Sequence, residues 1–215
     1  MLTMNRSYKD EILSYLPESS ELSGNEHIMI CDCETTGFSE KQHDMITFSA
    51  MIVDFNLDIK DKVTVYARPK KERWTIGAQK VHKFSLAEAL TFPDPRKTAI
   101  QLLHFLKPFK TDDNRPILFV SHDTSGFDSR FFKSFFMNNM LIESYWKVFK
   151  DEYKLSTISM ARRMGIEDNK LDTWANRLNL ELNHHEAESD RNACFEVFKH
   201  ILENTSVQSE LEIEK

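Results

Sequence analysis

Glycine is scarce in this chain, at five of 215 residues, and proline numbers only six. That excludes collagen-like and low-complexity classes. Three cysteines, Cys31, Cys33 and Cys194, are too few and too odd in number for a disulfide framework. Cys31-x-Cys33 is also too tight for an ordinary zinc knuckle. A reducing compartment is therefore expected. No apolar run approaches the roughly 18 residues of a membrane span. The segment Met1–Gly24 carries Arg6, Lys9, Asp10, Glu11, Glu18 and Glu21, with no apolar stretch of signal-peptide type. The expectation is a cytoplasmic protein without a membrane partner. An excess of positive charge is missing too: 28 Lys plus Arg face 34 Asp plus Glu, a net charge of −6. This excludes coating nucleic acid by charge alone, but not an enzyme that handles it at a local site.

What the chain does have is ordinary globular composition, 40% hydrophobic and 29% charged, with 16 Phe. The length suits one α/β domain with an aromatic core and short arms. Residues 1–25 read as an arm, with one short amphipathic helix through Ile12, Leu13, Tyr15 and Leu16 stopped by Pro17, then a linker over Glu18–Asn25. The domain proper is placed at 26–205 and a tail at 206–215.

Within the domain, His27–Cys33 is an apolar run ending near Asp32 and reads as a buried strand. Met45–Asp54 is a second strand, with Ile46, Phe48, Ala50 and Ile52 on one face. A turn at Asp58–Lys62 leads to a third strand at Val63–Ala67, making a hairpin. Ile100, Leu103 and Leu106 mark a helix over Pro93–Lys107. Ile117–Ser121 is a fourth, fully apolar strand. Helices are expected at Asp128–Met137, Ser156–Met164, Leu171–Leu178 and about Ser189–Glu203, the last with a stripe of Cys194, Val197, Phe198 and Ile201. A hairpin followed by alternating strands and helices gives an α/β class with a mixed sheet. Open sheets bind ligands beyond the carboxyl ends of their strands, which is where Asp32, Glu34 and the acids after the fourth strand fall.

Asp32 and Glu34, two apart on a strand, aim two carboxylates at one spot. Unpaired, they repel, and one stays protonated. A hard divalent cation such as magnesium or manganese removes that conflict.

The run Asp32-Cys33-Glu34-Thr35-Thr36-Gly37 resembles the first motif, D-x-E-T-T-G, of the DEDDh family of 3′–5′ exonucleases. That family includes proofreading subunits of bacterial replicative polymerases, RNase T and oligoribonuclease. Its second motif, H-N-A-x-F-D, is similar to His122–Asp128, with one extra residue and Asp123 in place of Asn. Gly126 can absorb the extra residue. Asp123 competes with Asp128 for the role, and Asp128 also suits a helix cap. The third motif, H-R-A-x-x-D-A, is similar to the stretch from His185 to Asp190; His184 has the wrong spacing. Weaker likenesses cover Ile76–Ser85, Thr157–Arg163 and Leu171–Leu178.

The resemblance implies a ribonuclease H-like, five-stranded mixed sheet, an antiparallel hairpin plus parallel strands, flanked by helices. It implies two Mg2+ or Mn2+ ions on Asp32, Glu34, Asp128 and Asp190, and His185 as the base. Thr35, Thr36, Phe38 and His82 would contact substrate. The implied reaction removes nucleoside monophosphates from the 3′ ends of single-stranded DNA. RNA ends as substrate, and a catalytically weak module that binds nucleic-acid ends or a partner, are the alternatives. A polymerase or another protein is the implied protein partner.

Overall fold

A computed structural model describes residues 8–17, 22–110 and 116–213, the final eight of these in backbone only. Five strands form one sheet: β1 (Ile28–Thr35), β2 (Met45–Val53), β3 (Ile59–Tyr66), β4 (Leu118–Ser121) and β5 (Lys154–Ser156). The spatial order is β3-β2-β1-β4-β5. The β1–β2 and β2–β3 pairs are antiparallel, and β1–β4 and β4–β5 are parallel. The mixed sheet expected from the sequence is therefore present.

Nine α-helices are present among the described residues: α1 (Lys9–Leu13), α2 (Ile76–His82), α3 (Leu86–Ala89), α4 (Pro95–Leu106), α5 (Phe127–Asn138), α6 (Ile142–Trp146), α7 (Thr157–Arg163), α8 (Leu171–Leu178) and α9 (Ala187–Ile213). They divide between the sheet's faces. The side chains of Ile28 and Ile30 on β1 pack with Met160 of α7, Trp174 of α8 and Val197, Phe198 and Ile201 of α9. Met29, Cys31 and Cys33 face the other way, toward Leu102 of α4, Phe131 and Phe132 of α5 and Tyr145 of α6. Phe132 is the hub of that second layer. It stacks on Phe48 at 4.2 Å and meets Phe119, Phe136, Tyr145 and Phe149 within 6.1 Å. The many phenylalanines thus fill one layer.

Several boundaries differ from the sequence reading, each for a local reason. Every residue of β2 is buried, so its alternation is hidden; Met51 and Val53 serve one layer while Phe48, Ala50 and Ile52 serve the other. The hairpin turn lies at 54–58, earlier than expected. Asp54 Oδ1 accepts the backbone N–H groups of Asn56 and Asp58, and Leu57 turns through φ 65°. On α4 the inward face is Thr98, Ala99, Leu102 and Leu106; Ile100 is exposed. α9 begins at Ala187 and continues past Glu203. The short helix near the start packs on the body: Tyr8, Ile12 and Leu16 join the layer under α9, and Tyr8 N–H donates to the Phe55 carbonyl at 2.9 Å. Part of the linker, 18–21, and the last two residues of the tail lie outside the described residues.

Candidate active site

β1 carries its carboxylates where its pairing ends. Asp32 sits opposite Ser49 of β2 and Glu34 opposite Thr47, and the register shifts just after, between Glu34 and Thr35. Thr35 Oγ1 donates to the Gly37 carbonyl at 2.7 Å, closing a tight turn. A Cβ at Gly37 would lie 2.4 Å from the His43 ring, so any other residue there forces that side chain to shift. Thr36 is fully buried: its N–H donates to Asp44 O, its carbonyl accepts from Thr75 Oγ1, and its hydroxyl accepts from Asp44 N–H. Its polar groups are therefore committed to the turn, against the expectation that they receive a nucleotide.

The third acid arrives from α9. The carboxylate of Asp190 lies in that helix's first turn and accepts the His185 backbone N–H at 2.9 Å, and His185 adopts a left-handed φ of 67° to allow it. One oxygen from each of Asp32, Glu34 and Asp190 lies within 4.8 Å of the others. Among the described residues no Lys or Arg forms an ion pair with Asp32, Glu34 or Asp128. Hard oxygen donors crowded without a counter-cation fit Mg2+ or Mn2+.

Asp128 reaches the same cavity from α5, outside the tight triad. It is buried, and its Oδ1 accepts the Cys33 backbone N–H at 3.2 Å, so it points at β1 and does not cap its own helix. Gly126, at φ 66°, precedes α5 and takes up the extra residue of this loop. Asp123 is spent on the loop: Oδ1 accepts from Ser125 and Phe127 N–H at 2.9 Å each, and Oδ2 from the Ser121 hydroxyl at 2.7 Å.

Crowding and burial show in the acids' titration. Burial, then the neighbouring Asp190 and Asp128, push Glu34 up to about 8. Burial and the adjoining Asp123 push Asp128 up to about 8. Burial and the other three acids raise Asp32 well above the usual carboxylate range. Asp190 is raised by burial in spite of its histidine neighbours. Four such carboxyls in one place repel one another, a conflict that a bound cation would relieve.

The acids open into a cavity of about 600 Å³, also lined by His122, Phe127, Arg162, Asn169, Lys170, His184 and His185. A second cavity, about 190 Å³, runs along Glu34, Thr35, Phe38, Ala78 and His82. Residues 29–198 match the RNase T exonuclease family. The chain belongs to the DEDD family of 3′–5′ exonucleases.

The matched residues take in β1 from Met29, the start of α9 and all four acids. The chain's fold is similar to that of E. coli exonuclease I in complex with a dT13 oligonucleotide: TM-score 0.66, 16% identity, 82% of this chain and 41% of the other covered. The zinc-bound form of the E. coli exonuclease I complex with single-stranded DNA gives 0.66, 16%, 81% and 40%. Product-bound exonuclease I gives 0.65, 16%, 83% and 45%. The chain thus spans about two fifths of the length of these structures. No match was found among curated proteins.

In the exonuclease both neighbouring histidines reach the site. Their rings stack at 3.9 Å. His184, set aside on spacing, has Nδ1 at 3.3 Å from Asp190 Oδ1 and Nε2 at 3.7 Å from Asp172. The His185 ring stands half-exposed, its pKa lowered from the ordinary imidazole value by burial and by His184. His82 is buried; its Nδ1 accepts the Phe84 N–H at 3.1 Å, which leaves the ring proton on Nε2, and Nε2 has no partner among the described residues. Phe38 is 82% exposed at the mouth of the smaller cavity. Arg162 and Lys170, which the sequence reading did not single out, are the two cations in the larger cavity's lining. No helix among the described residues is long and apolar enough to cross a membrane.

Proposed function

We propose that the exonuclease removes nucleoside 5′-monophosphates from the 3′ ends of single-stranded DNA. The observation that carries this reading is the triad of Asp32, Glu34 and Asp190, with Asp128 behind it, at the carboxyl end of β1. These four acids would hold two divalent ions, Mg2+ or Mn2+. Bound there, such ions neutralise the phosphate and lower the pKa of water.

The chain's own groups supply the rest. His185, its ring half-exposed in the cavity and its pKa lowered, takes the proton from the attacking water. The water oxygen bonds to phosphorus, the bond to the 3′ oxygen of the next nucleotide breaks, and that oxygen leaves to become a new 3′ hydroxyl. His184, tied to Asp190 and Asp172, holds the loop in place. The terminal nucleotide would lie in the smaller cavity, its base on Phe38 and its sugar or phosphate along Thr35 and His82. Stacking on an aromatic is tolerant of sequence and fits trimming of arbitrary ends. DNA ahead of RNA follows from the D-x-E-T-T-G form of the first motif, and exonuclease I bound to oligodeoxynucleotides shares the fold.

The test is hydrolysis of labelled DNA and RNA of equal sequence with Mg2+ or Mn2+, by the wild type and Asp32→Ala. Metal-dependent release of mononucleotides by the wild type alone is expected. Equal behaviour of the two proteins would remove the catalytic reading, and a strong preference for RNA would remove the substrate choice.

A further inference from the structure

Arg191 follows Asp190 and is completely buried. Where the H-R-A-x-x-D-A pattern closes on a small residue, this chain places a guanidinium. A buried arginine is costly unless its donors are matched. Here Nη1 donates to Ser49 Oγ at 2.9 Å and to the Ala50 carbonyl at 3.3 Å. Nη2 donates to Glu188 Oε1 at 3.3 Å and Asn192 Oδ1 at 2.8 Å, so both terminal nitrogens are matched, while Nε has no partner among the described residues. Ser49 Oγ also meets Thr64 Oγ1 at 2.9 Å, and the Thr64 hydroxyl donates to Glu188 Oε2 at 3.5 Å. The circuit Arg191–Ser49–Thr64–Glu188 closes on itself and joins the first turn of α9 to β2 and β3.

Its position gives it a purpose. Ser49 and Ala50 are the ladder partners of Asp32 and Cys31. Partners directly opposite in an antiparallel pair share a face, so Ser49 lies beside Asp32 on the α9 side of the sheet. Asp190, on the same turn as Arg191, completes the triad with Asp32 and Glu34. Three carboxylates this close repel one another, and the joint that yields most simply is the one between helix and sheet. A planar guanidinium with Nη1 bonded twice to the strand and Nη2 bonded twice to the helix fixes that joint in direction as well as distance, which a single ammonium cannot do.

We propose that Arg191 is a positioning residue that clamps the Asp190-bearing turn of α9 onto the strand pair bearing Asp32 and Glu34, and so sets the triad's spacing for a divalent cation. The proposal rests on the reading of that triad as a metal centre. Partners behind the ligands of a metal site typically carry about 10–100-fold in affinity or activity.

The test is Mn2+ titration by calorimetry, without nucleic acid, of the wild type, Arg191→Lys and Arg191→Met, each checked for folding by circular dichroism. Both variants are expected to bind Mn2+ about 10–100-fold more weakly. At saturating Mn2+ their kcat should fall while KM for an oligonucleotide stays unchanged. If the Met variant does not fold, Ser49→Ala and Glu188→Ala each remove one acceptor of the guanidinium and should weaken Mn2+ binding in the same direction by less. Folded Arg191→Lys with wild-type Mn2+ affinity would overturn the proposal, as would a change in KM alone. A wild type that binds no Mn2+ would instead sink the metal-centre reading beneath it, a result distinct from equal binding by wild type and variant.

Discussion

Glu34 offers a direct measure of how much the acid cluster strains the metal-free fold. Its carboxyl is pushed up to about 8 from an ordinary 4.5 by burial and by Asp190 and Asp128. Below the unfolded chain's value the folded and unfolded states are both protonated, and the fold keeps its full stability. As pH rises toward 8, the unfolded chain gives up the proton while the folded chain holds it, so stability falls at up to about 1.4 kcal/mol per pH unit. From pH 5 to pH 7 that amounts to about 2–3 kcal/mol from this one group. In a chain of this size it corresponds to roughly 5–10 °C in melting temperature. The assay is urea unfolding in EDTA at pH 5, 6 and 7 for the wild type and Glu34→Gln. The glutamine has no proton to exchange, so its advantage over the wild type should widen by about 2–3 kcal/mol across the series. Saturating Mn2+ should stabilise the wild type more at pH 7 than at pH 5, since ligands must be deprotonated to bind. A gap between the two proteins that is constant with pH would refute the burial-and-repulsion account.

Other consequences are open to measurement. His185→Ala should lower the hydrolysis rate by about 10²-fold or more, and equal loss confined to His184→Ala would transfer the base to that ring. Phe38→Ala, at an exposed position, should leave unfolding stability within about 0.5 kcal/mol while weakening substrate binding by about 1–3 kcal/mol, read from KM. Phe132→Ala, at the centre of the aromatic layer, should cost about 3–5 kcal/mol in urea unfolding; a loss under 1 kcal/mol would show that the layer is not close-packed.

The acids of the site were legible because their chemistry is local. A D-x-E at the end of an apolar run forecasts two carboxylates on one face without knowledge of what packs above. The His185–Asp190 spacing works similarly, since both lie around one helix start. What escaped the sequence depends on partners distant in the chain. β5 is only Lys154–Ser156, too short and too polar to stand out as a strand, and it exists because the parallel edge of β4 offers it a ladder. The inward face of α4 is built on Thr98 and Ala99, small side chains that let the helix approach the sheet, so a search for large apolar residues picks Ile100 and Leu103 instead. His184 reaches Asp190 only because His185 takes a left-handed turn. Arg191 reads as a surface charge until Ser49 and Ala50, over 140 residues earlier, are brought beneath it. Thr36's place in the turn, bonded to Asp44 and Thr75, likewise depends on partners outside its motif.

The alternation along β1 has a consequence for what activity measures. Ile28, Ile30, Asp32 and Glu34 share one side of that strand, and Met29, Cys31 and Cys33 the other. A slip of one residue against β2 would exchange the two sets, sending both carboxylates into the phenylalanine layer and two thiols into the place of the acids. Such a chain could keep much of its helix and sheet content, and spectroscopy would count it as folded. Turnover would not, because a one-residue slip takes both acids away from Asp190. The ratio of active molecules to folded ones is therefore a gauge of strand alignment, and refolding yields scored by hydrolysis should fall below those scored by circular dichroism wherever misaligned chains accumulate.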